Sequence, residues 1–338
     1  ELPDEARHLV YLPTGGALHI PAGRLRRILR HLSAMVDPEH PRLHPLDAAR
    51  LSTEAGLTVE IPPSLKKLRK RLNERNRPAA DPPDGLQAEL RSYQLTGFQW
   101  ACQLAEHDLH GILADDMGLG KTVQTLAVLE KARNQGKPSL VVAPTSVVPN
   151  WQAEARRFAP ALRVLVLTGP RRAGHYAHIQ HADLVLTSFA ILQRDGEKLK
   201  EQEFNYAILD EAQHIKNPSA KVSQAACQLR ANHRLCLSGT PVENSLSEVW
   251  SLMRFLMPGF LGPYEAFRAR YQLPIEKEQD EEVQAALQQR LAPLILRRTK
   301  DEVAKELPPK TTLVHPIELS SRQKDPVSYT HLTLPTKI

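Results

Sequence analysis

The stretch "ILADDMGLGKTVQTLA" (Ile112 to Ala127) runs through Gly120-Lys121-Thr122 into a helix-like pattern. That triplet closes a phosphate-binding loop, whose general form G-x-x-x-x-G-K-[ST] has a glycine where this chain has Asp115. The chemistry open to such a loop is electrostatic. Backbone N–H groups from Gly118 to Thr122 can converge on phosphate oxygens, aided by the dipole of the helix that follows. Lys121 would neutralise the β- and γ-phosphates, and the Thr122 hydroxyl would bind Mg²⁺. On its own, the octapeptide Asp115 to Thr122 also reads as a glycine-containing turn before a helix, so a second feature has to decide.

That feature is "AILDEAQHIKN", an apolar run ending in Asp210 and Glu211. Asp210 can hold Mg²⁺, usually through water, and Glu211 can orient and polarise an attacking water. Neighbouring side chains on a strand point to opposite faces. At a strand terminus the chain bends, however, and both carboxylates can face one phosphate. An acidic, solvated loop is the plainer reading, and the phosphate loop elsewhere in the chain argues against it.

These residues need a scaffold, and the apolar patterning supplies one. Short continuous apolar runs recur at "GILA" (111–114), "SLVVA" (139–143), "RVLVL" (163–167), "LVLT" (184–187), "AILD" (207–210) and "LCLS" (235–238). Continuous rather than alternating runs suit parallel strands covered on both faces. Helix-like segments lie between several of them; Trp151, Ala155 and Phe158 fall on one face of such a segment. The pattern predicts a doubly wound α/β domain, whose ligands bind beyond the carboxyl ends of the strands. The polar residues that follow the runs, from Asp115-Asp116-Met117 to Ser238-Gly239-Thr240, are therefore expected along one edge.

Bulk composition agrees with a folded chain. Of 338 residues, 41% are apolar and 24% charged, which permits a real core and argues against wholesale disorder. No apolar run reaches the roughly 18 residues that span a bilayer, and no targeting pattern opens the chain. Cys102, Cys227 and Cys236 are widely spaced with no C-x-x-C pair, which disfavours a disulfide framework or zinc ribbon and fits a reducing cytoplasm. The net charge of +6 leans weakly towards a polyanionic partner. Ahead of the α/β region, "HLVYLPTGGALHI" reads as a β-hairpin. "AGRLRRILRHL" and "SLKKLRKRLNER" read as basic helices, and "RPAADPPDG" as a linker. The Lys66–Arg71 run could grip DNA, although a solvated helix face is the simpler reading.

Taken together, the motifs resemble those of Swi/Snf-type ATPases within helicase superfamily two. "LRSYQLTGFQW" (Leu90 to Trp100) resembles that family's adenine-reading segment, and Asp115 to Thr122 its first motif, which typically carries an acidic residue at Asp115's position. "VVAPTSVVPNWQAEARRF", "LVLTSFAIL", "LDEAQHIKN", "LSGTPVENSLSEVWSLMRFLMPGFLG" and "LILRRTKDEVAKELPPK" follow in the family's order. The resemblance covers about Leu86 to Lys324. It implies a RecA-like lobe, a parallel sheet with helices on both faces, that uses ATP and Mg²⁺ to move along double-stranded DNA. A smaller N-terminal α+β extension and a helical segment after the lobe complete the expected fold class.

Carried over residue by residue, the resemblance makes Lys121, Asp210 and Glu211 catalytic. It places Arg91, Gln94, Asp115, Asp116, Met117, Gly118, Leu119, Gly120, Lys121 and Thr122 at the nucleotide, with Gln94 reading adenine. Thr122 and Asp210 would hold Mg²⁺. Thr145, Ser146, Thr187 and Ser188 would touch the DNA backbone, while Gln213, Ser238, Gly239 and Thr240 would couple nucleotide state to DNA grip. Gln213 stands where the family often has His, and its amide can make the same relay contacts. The implied partner is double-stranded DNA, with room for a DNA-bound protein such as RNA polymerase. The implied setting is a monomer at the nucleoid in a bacterial cytoplasm. An RNA helicase of the same superfamily and a non-catalytic, nucleotide-gated DNA-binding module are the competing readings.

The expected organisation is an N-terminal extension and linker over 1–85, the ATP-binding lobe over 86–260, and a helical insertion and linker over 261–324. The family continues into a second lobe whose arginine finger is worth about 10³ to 10⁵ in rate. This chain is accordingly read as a fragment. Residues 325–338, with "VSYTHLTLPT", resemble a translated sequencing-library adapter rather than native chain. His175, His178 and His181 have H-x-x-H-x-x-H spacing, but on an α-helix they would fan partly around the axis. A solvated or DNA-near face is expected there, not a metal site.

Overall fold

The computed structural model describes residues 7–11, 17–21, 80–239 and 245–303. Strands β1 (Arg7–Tyr11) and β2 (Ala17–Pro21) pair antiparallel, as the hairpin reading expects. The two basic helix candidates, Thr240, residues 304–310 of the "LILRRTKDEVAKELPPK" segment and the 325–338 tail lie outside the described residues.

The α/β region alternates as the apolar runs require. It begins with α1 (Ser92–Glu106), β3 (Gly111–Leu113), α2 (Lys121–Lys131), β4 (Ser139–Ala143) and α3 (Val148–Phe158). It continues through β5 (Val164–Leu167), a 3₁₀ stretch (Pro170–His181), β6 (Leu184–Ser188), α4 (Phe189–Lys200) and β7 (Glu203–Asp210). A short 3₁₀ turn (Ala212–Ile215), α5 (Lys221–Gln228), β8 (Arg230–Leu237) and α6 (Leu246–Leu256) follow. After these come α7 (Tyr264–Phe267), a π-helical turn (Arg268–Gln272), α8 (Leu273–Lys277) and α9 (Glu281–Leu291). Strand β9 (Ile295–Leu296) and α10 (Lys300–Val303) close the described chain.

Seven strands form one sheet in the order β5-β6-β4-β7-β8-β3-β9, and every pairing is parallel. Because successive side chains point to opposite faces, each strand feeds two cores. Leu140 and Val142 of β4 join Phe189, Leu192 and Phe255 on one side. Val141 and Ala143 join Phe98, Leu126 and Trp151 on the other. Helices α1 to α3 thus cover one face, while α4 and α6 cover its reverse. This two-sided burial is why the strand sequences are continuously apolar.

Two expectations need correction. A seventh strand, β9, lies beyond the lobe boundary set at residue 260. Ile295 and Leu296 pair in parallel with Ile112 and Leu113, so the lobe's sheet extends past the helical insertion. Two residues are too few to register as an apolar run. The three histidines sit on a 3₁₀ stretch, not an α-helix. Its three-residue repeat aligns i, i+3 and i+6 instead of fanning them, yet no group of three or more His, Cys, Asp or Glu among the described residues could hold a metal.

Candidate active site

Register determines what meets at the carboxyl edge. Leu113 of β3 is level with Leu237 of β8, which is level with Asp210 of β7. The phosphate loop, Ser238-Gly239 and Asp210-Glu211 therefore leave three adjacent strands side by side. Ser238 N–H donates to the Leu113 carbonyl at 3.1 Å, tying two of these strand ends together.

The loop turns through left-handed backbone at Gly118 (φ 86°) and Gly120 (φ 78°) before α2 begins at Lys121. A side chain at Gly120 would also strike the Gln94 amide nitrogen, 2.5 Å from the ideal Cβ position. Lys121 Nζ folds back to donate to the Asp115 carbonyl at 2.7 Å and the Asp116 carbonyl at 3.4 Å. Burial pushes its pKa down, against the opposing pull of Glu211, Asp115, Asp210 and Asp116. A half-buried ammonium among carboxylates and carbonyls suits a phosphate.

The bend expected after β7 occurs at Glu211, which has φ 51° and ψ 55°. Left-handed backbone is uncommon for a residue with a side chain, and such outliers concentrate at functional sites. Asp210 is only 8% exposed. Its Oδ2 accepts the Trp151 indole N–H at 2.8 Å, and its Oδ1 accepts the Glu211 N–H at 3.0 Å. Burial raises its pKa and the Trp151 hydrogen bond opposes the rise. A buried carboxylate held by two neutral donors is an oxygen ligand that fits a hard divalent cation.

Glu211 in turn connects outward. Its Oε2 accepts from Gln213 Nε2 at 2.8 Å, and Gln213 Oε1 accepts from Ser238 Oγ at 3.4 Å. The side-chain amide expected to serve as a relay thus bridges a carboxylate of the site to the end of β8. Met117, 68% exposed, leans over Gly239, so the phosphate loop also reaches that strand end.

Gln94 and Arg91 lie beside the phosphate loop, with the Gln94 amide part-buried. Its oxygen accepts from Arg91 N–H at 3.0 Å and its nitrogen donates to the Leu119 carbonyl at 3.2 Å, fastening the start of α1 to the loop. The Leu119 side chain is core, so only its backbone belongs to the loop surface. Thr145 and Ser146 are exposed in the turn between β4 and α3, as contact with a backbone polyanion requires.

Three expected site residues are placed otherwise. Thr187 is fully buried and donates its hydroxyl to the Leu167 carbonyl at 2.8 Å. Ser188, 2% exposed, accepts from Ile191 N–H and caps α4. Both hydroxyls belong to β6 itself, not to the loop beyond it, and are bonded within the fold. Asp115, expected at the nucleotide, is fully buried and forms a bidentate pair with Arg298, at 2.9 Å from Nε and 2.5 Å from Nη2.

That pair accounts for the carboxylate in the loop. Arg298 also donates to the Tyr93 carbonyl, and to Gln124 Oε1 at 3.0 Å. The backbone continues the seam: Ala114 N–H donates to the Leu296 carbonyl at 2.7 Å and Asp116 N–H to the Arg298 carbonyl at 3.0 Å. Lys300 N–H donates to Asp116 Oδ2 at 3.1 Å. The segment 294–300 is therefore stitched along the phosphate loop from strand to helix start. Arg298 and Trp151 were not legible as site residues; Arg298 lies 183 positions from its partner.

Replacing Lys121 with Ala is expected to remove nucleotide binding while leaving the fold. In differential scanning fluorimetry, Mg²⁺-ATP at 100 times its dissociation constant should stabilise the parent chain by about 2.7 kcal/mol. The variant should show no shift; an undiminished shift would place the nucleotide elsewhere.

Comparison with known proteins matches a family model, the SNF2-related domain, to residues 93–338. Over 298 residues the chain is 41% identical to YwqA of Bacillus subtilis, which carries the name of an ATP-dependent helicase/translocase; the match covers 86% of this chain and 32% of that protein. It is 43% identical over 255 residues to the TATA-binding protein-associated factor mot1 of Aspergillus fumigatus, covering 68% of this chain and 14% of the relative. The chain thus spans a third or less of these relatives. Among solved structures, the Sulfolobus solfataricus SWI2/SNF2 ATPase core in complex with dsDNA aligns with TM-score 0.64 and 41% identity, over 69% of this chain and 49% of that one.

Proposed function

Because the chain belongs to the SNF2-related family, we propose that it is the nucleotide-binding lobe of an ATP-driven motor that tracks along double-stranded DNA. The observation that carries this reading is the Glu211–Gln213–Ser238 chain, which leads from the expected water-activating carboxylate to a neighbouring strand end. A pocket that only held nucleotide would need no such lead.

In this reading Lys121 leaves the Asp115 and Asp116 carbonyls for the β- and γ-phosphates, which the loop N–H groups cradle. Gln94 reads the adenine with the bonding capacity its structural contacts leave. Glu211 accepts a proton from water and aims it, its carboxylate oriented by the Gln213 amide. Mg²⁺, held by Thr122 and Asp210, would neutralise phosphate charge. Thr145 and Ser146 make sequence-independent contacts to the DNA backbone. The neighbour's description as a complex with dsDNA supports duplex over RNA as the track.

Steady-state ATP hydrolysis by the parent protein separates the readings. Blunt duplex DNA should stimulate turnover more than single strands, and RNA should not. Stimulation by RNA alone would favour an RNA helicase. Nucleotide binding without turnover on any nucleic acid would favour a nucleotide-gated binding module.

A further inference from the structure

The residues assigned to the cation have partners of their own, and both come from one helix. Trp151 and Glu154 are three apart on α3, hence neighbours on its surface. Trp151 donates its indole N–H to Asp210 at 2.8 Å. The Glu154 carboxylate lies near the Thr122 hydroxyl; burial pushes its pKa up, and the hydroxyl opposes the rise. Asp210 sits at the end of β7 and Thr122 in the first turn of α2, so α3 is bonded to one of the residues assigned to the cation and carries a carboxylate near the other.

Each contact has a directional consequence. A hydroxyl that ligates a cation through its oxygen must send its proton away from it, and Glu154 is the neighbouring carboxylate placed to receive it. A buried carboxylate rotates freely unless something fixes it. Here Oδ1 is fixed by Glu211 N–H and Oδ2 by the indole, leaving the remaining lone pairs directed by those two bonds. The ring of Trp151 is 1% exposed and packs in the core with Ala155 and Leu186. A phenylalanine could fill much of that apolar space. Tryptophan adds a single donor with no acceptor and no charge, which holds a carboxylate without competing with a metal for it.

We propose that Trp151 and Glu154 form a positioning pair that presents Asp210 and Thr122 to the divalent cation. The inference rests on the nucleotide reading above. Ligand-orienting partners of this sort are typically worth about 10- to 100-fold in metal affinity.

Mn²⁺ binding by electron paramagnetic resonance, with the non-hydrolysable analogue AMP-PNP and the 338-residue chain, tests it without relying on turnover. Trp151→Phe and Glu154→Ala should each weaken Mn²⁺ binding about tenfold or more. Each should keep a cooperative thermal melt without metal. Glu154→Gln, whose amide oxygen still accepts the Thr122 proton, should bind like the parent. Unchanged Mn²⁺ affinity in Trp151→Phe and Glu154→Ala would overturn the proposal. A Glu154→Gln loss equal to that of Glu154→Ala would overturn the proton-accepting role of Glu154, leaving only its charge. If the unaltered chain binds no Mn²⁺ with AMP-PNP, the nucleotide reading itself fails, an outcome distinct from failure of the variants.

Discussion

Glu211→Gln should leave nucleotide binding intact and reduce ATP turnover of the parent protein by about 10²- to 10⁴-fold, the usual contribution of a positioned general base. The substitution keeps shape and hydrogen-bonding length but removes the group that can take a proton from water. Binding should survive because the phosphate contacts belong to Lys121 and the loop, not to Glu211. The left-handed backbone at Glu211 is common to both side chains, so the strand end should keep its bend. Single-turnover hydrolysis with nucleotide-induced thermal stabilisation measured in parallel reads both halves of the expectation. Turnover within a few-fold of the parent would remove Glu211 from the chemistry. Loss of the thermal shift would instead mean that the carboxylate is needed to hold nucleotide.

Arg298→Ala should destabilise the lobe by about 3 to 5 kcal/mol, as removing one member of a buried ion pair does. Asp115 is fully buried, and the Arg298 side chain is 11% exposed. Deleting the guanidinium would strand the carboxylate and also release the Tyr93 carbonyl and Gln124 Oε1. Urea unfolding of the parent and variant measures the difference. The double substitution Asp115→Asn/Arg298→Ala removes the stranded charge together with its partner. It should be less destabilising than the sum of the single changes, with an interaction energy within the 0.5 to 3 kcal/mol that contacting residues show. A loss below about 0.5 kcal/mol for Arg298→Ala, the level of an ordinary surface change, would contradict the pairing.

The same pair shows how far the sequence could be read and where reading stopped. Strand β4 coincides with its apolar run, and β3 and β6 differ from theirs by a residue, because full burial on both faces leaves few polar positions to blur the signal. Lys121, Asp210 and Glu211 were legible because their chemistry dictates residue type and local spacing. Asp115 was legible as unusual but not as structural: its partner is contributed by a different part of the chain through β9, a strand of two residues. Trp151 looked like core, and it is; the indole N–H aimed at Asp210 is a property of tertiary packing that helical periodicity does not encode. The burial of Thr187 and Ser188 was not legible, because motif position identifies the strand end without saying which residue is the last one inside it.

Displacement of a triplex-forming third strand from duplex DNA by the parent protein tests the motor reading most directly, since releasing that strand requires movement along the duplex and not binding alone. The third strand should be released with ATP, retained with AMP-PNP, and retained with ATP by Glu211→Gln. ATP hydrolysis stimulated by duplex DNA with the third strand left in place would contradict translocation, and release without ATP would show that hydrolysis does not drive it.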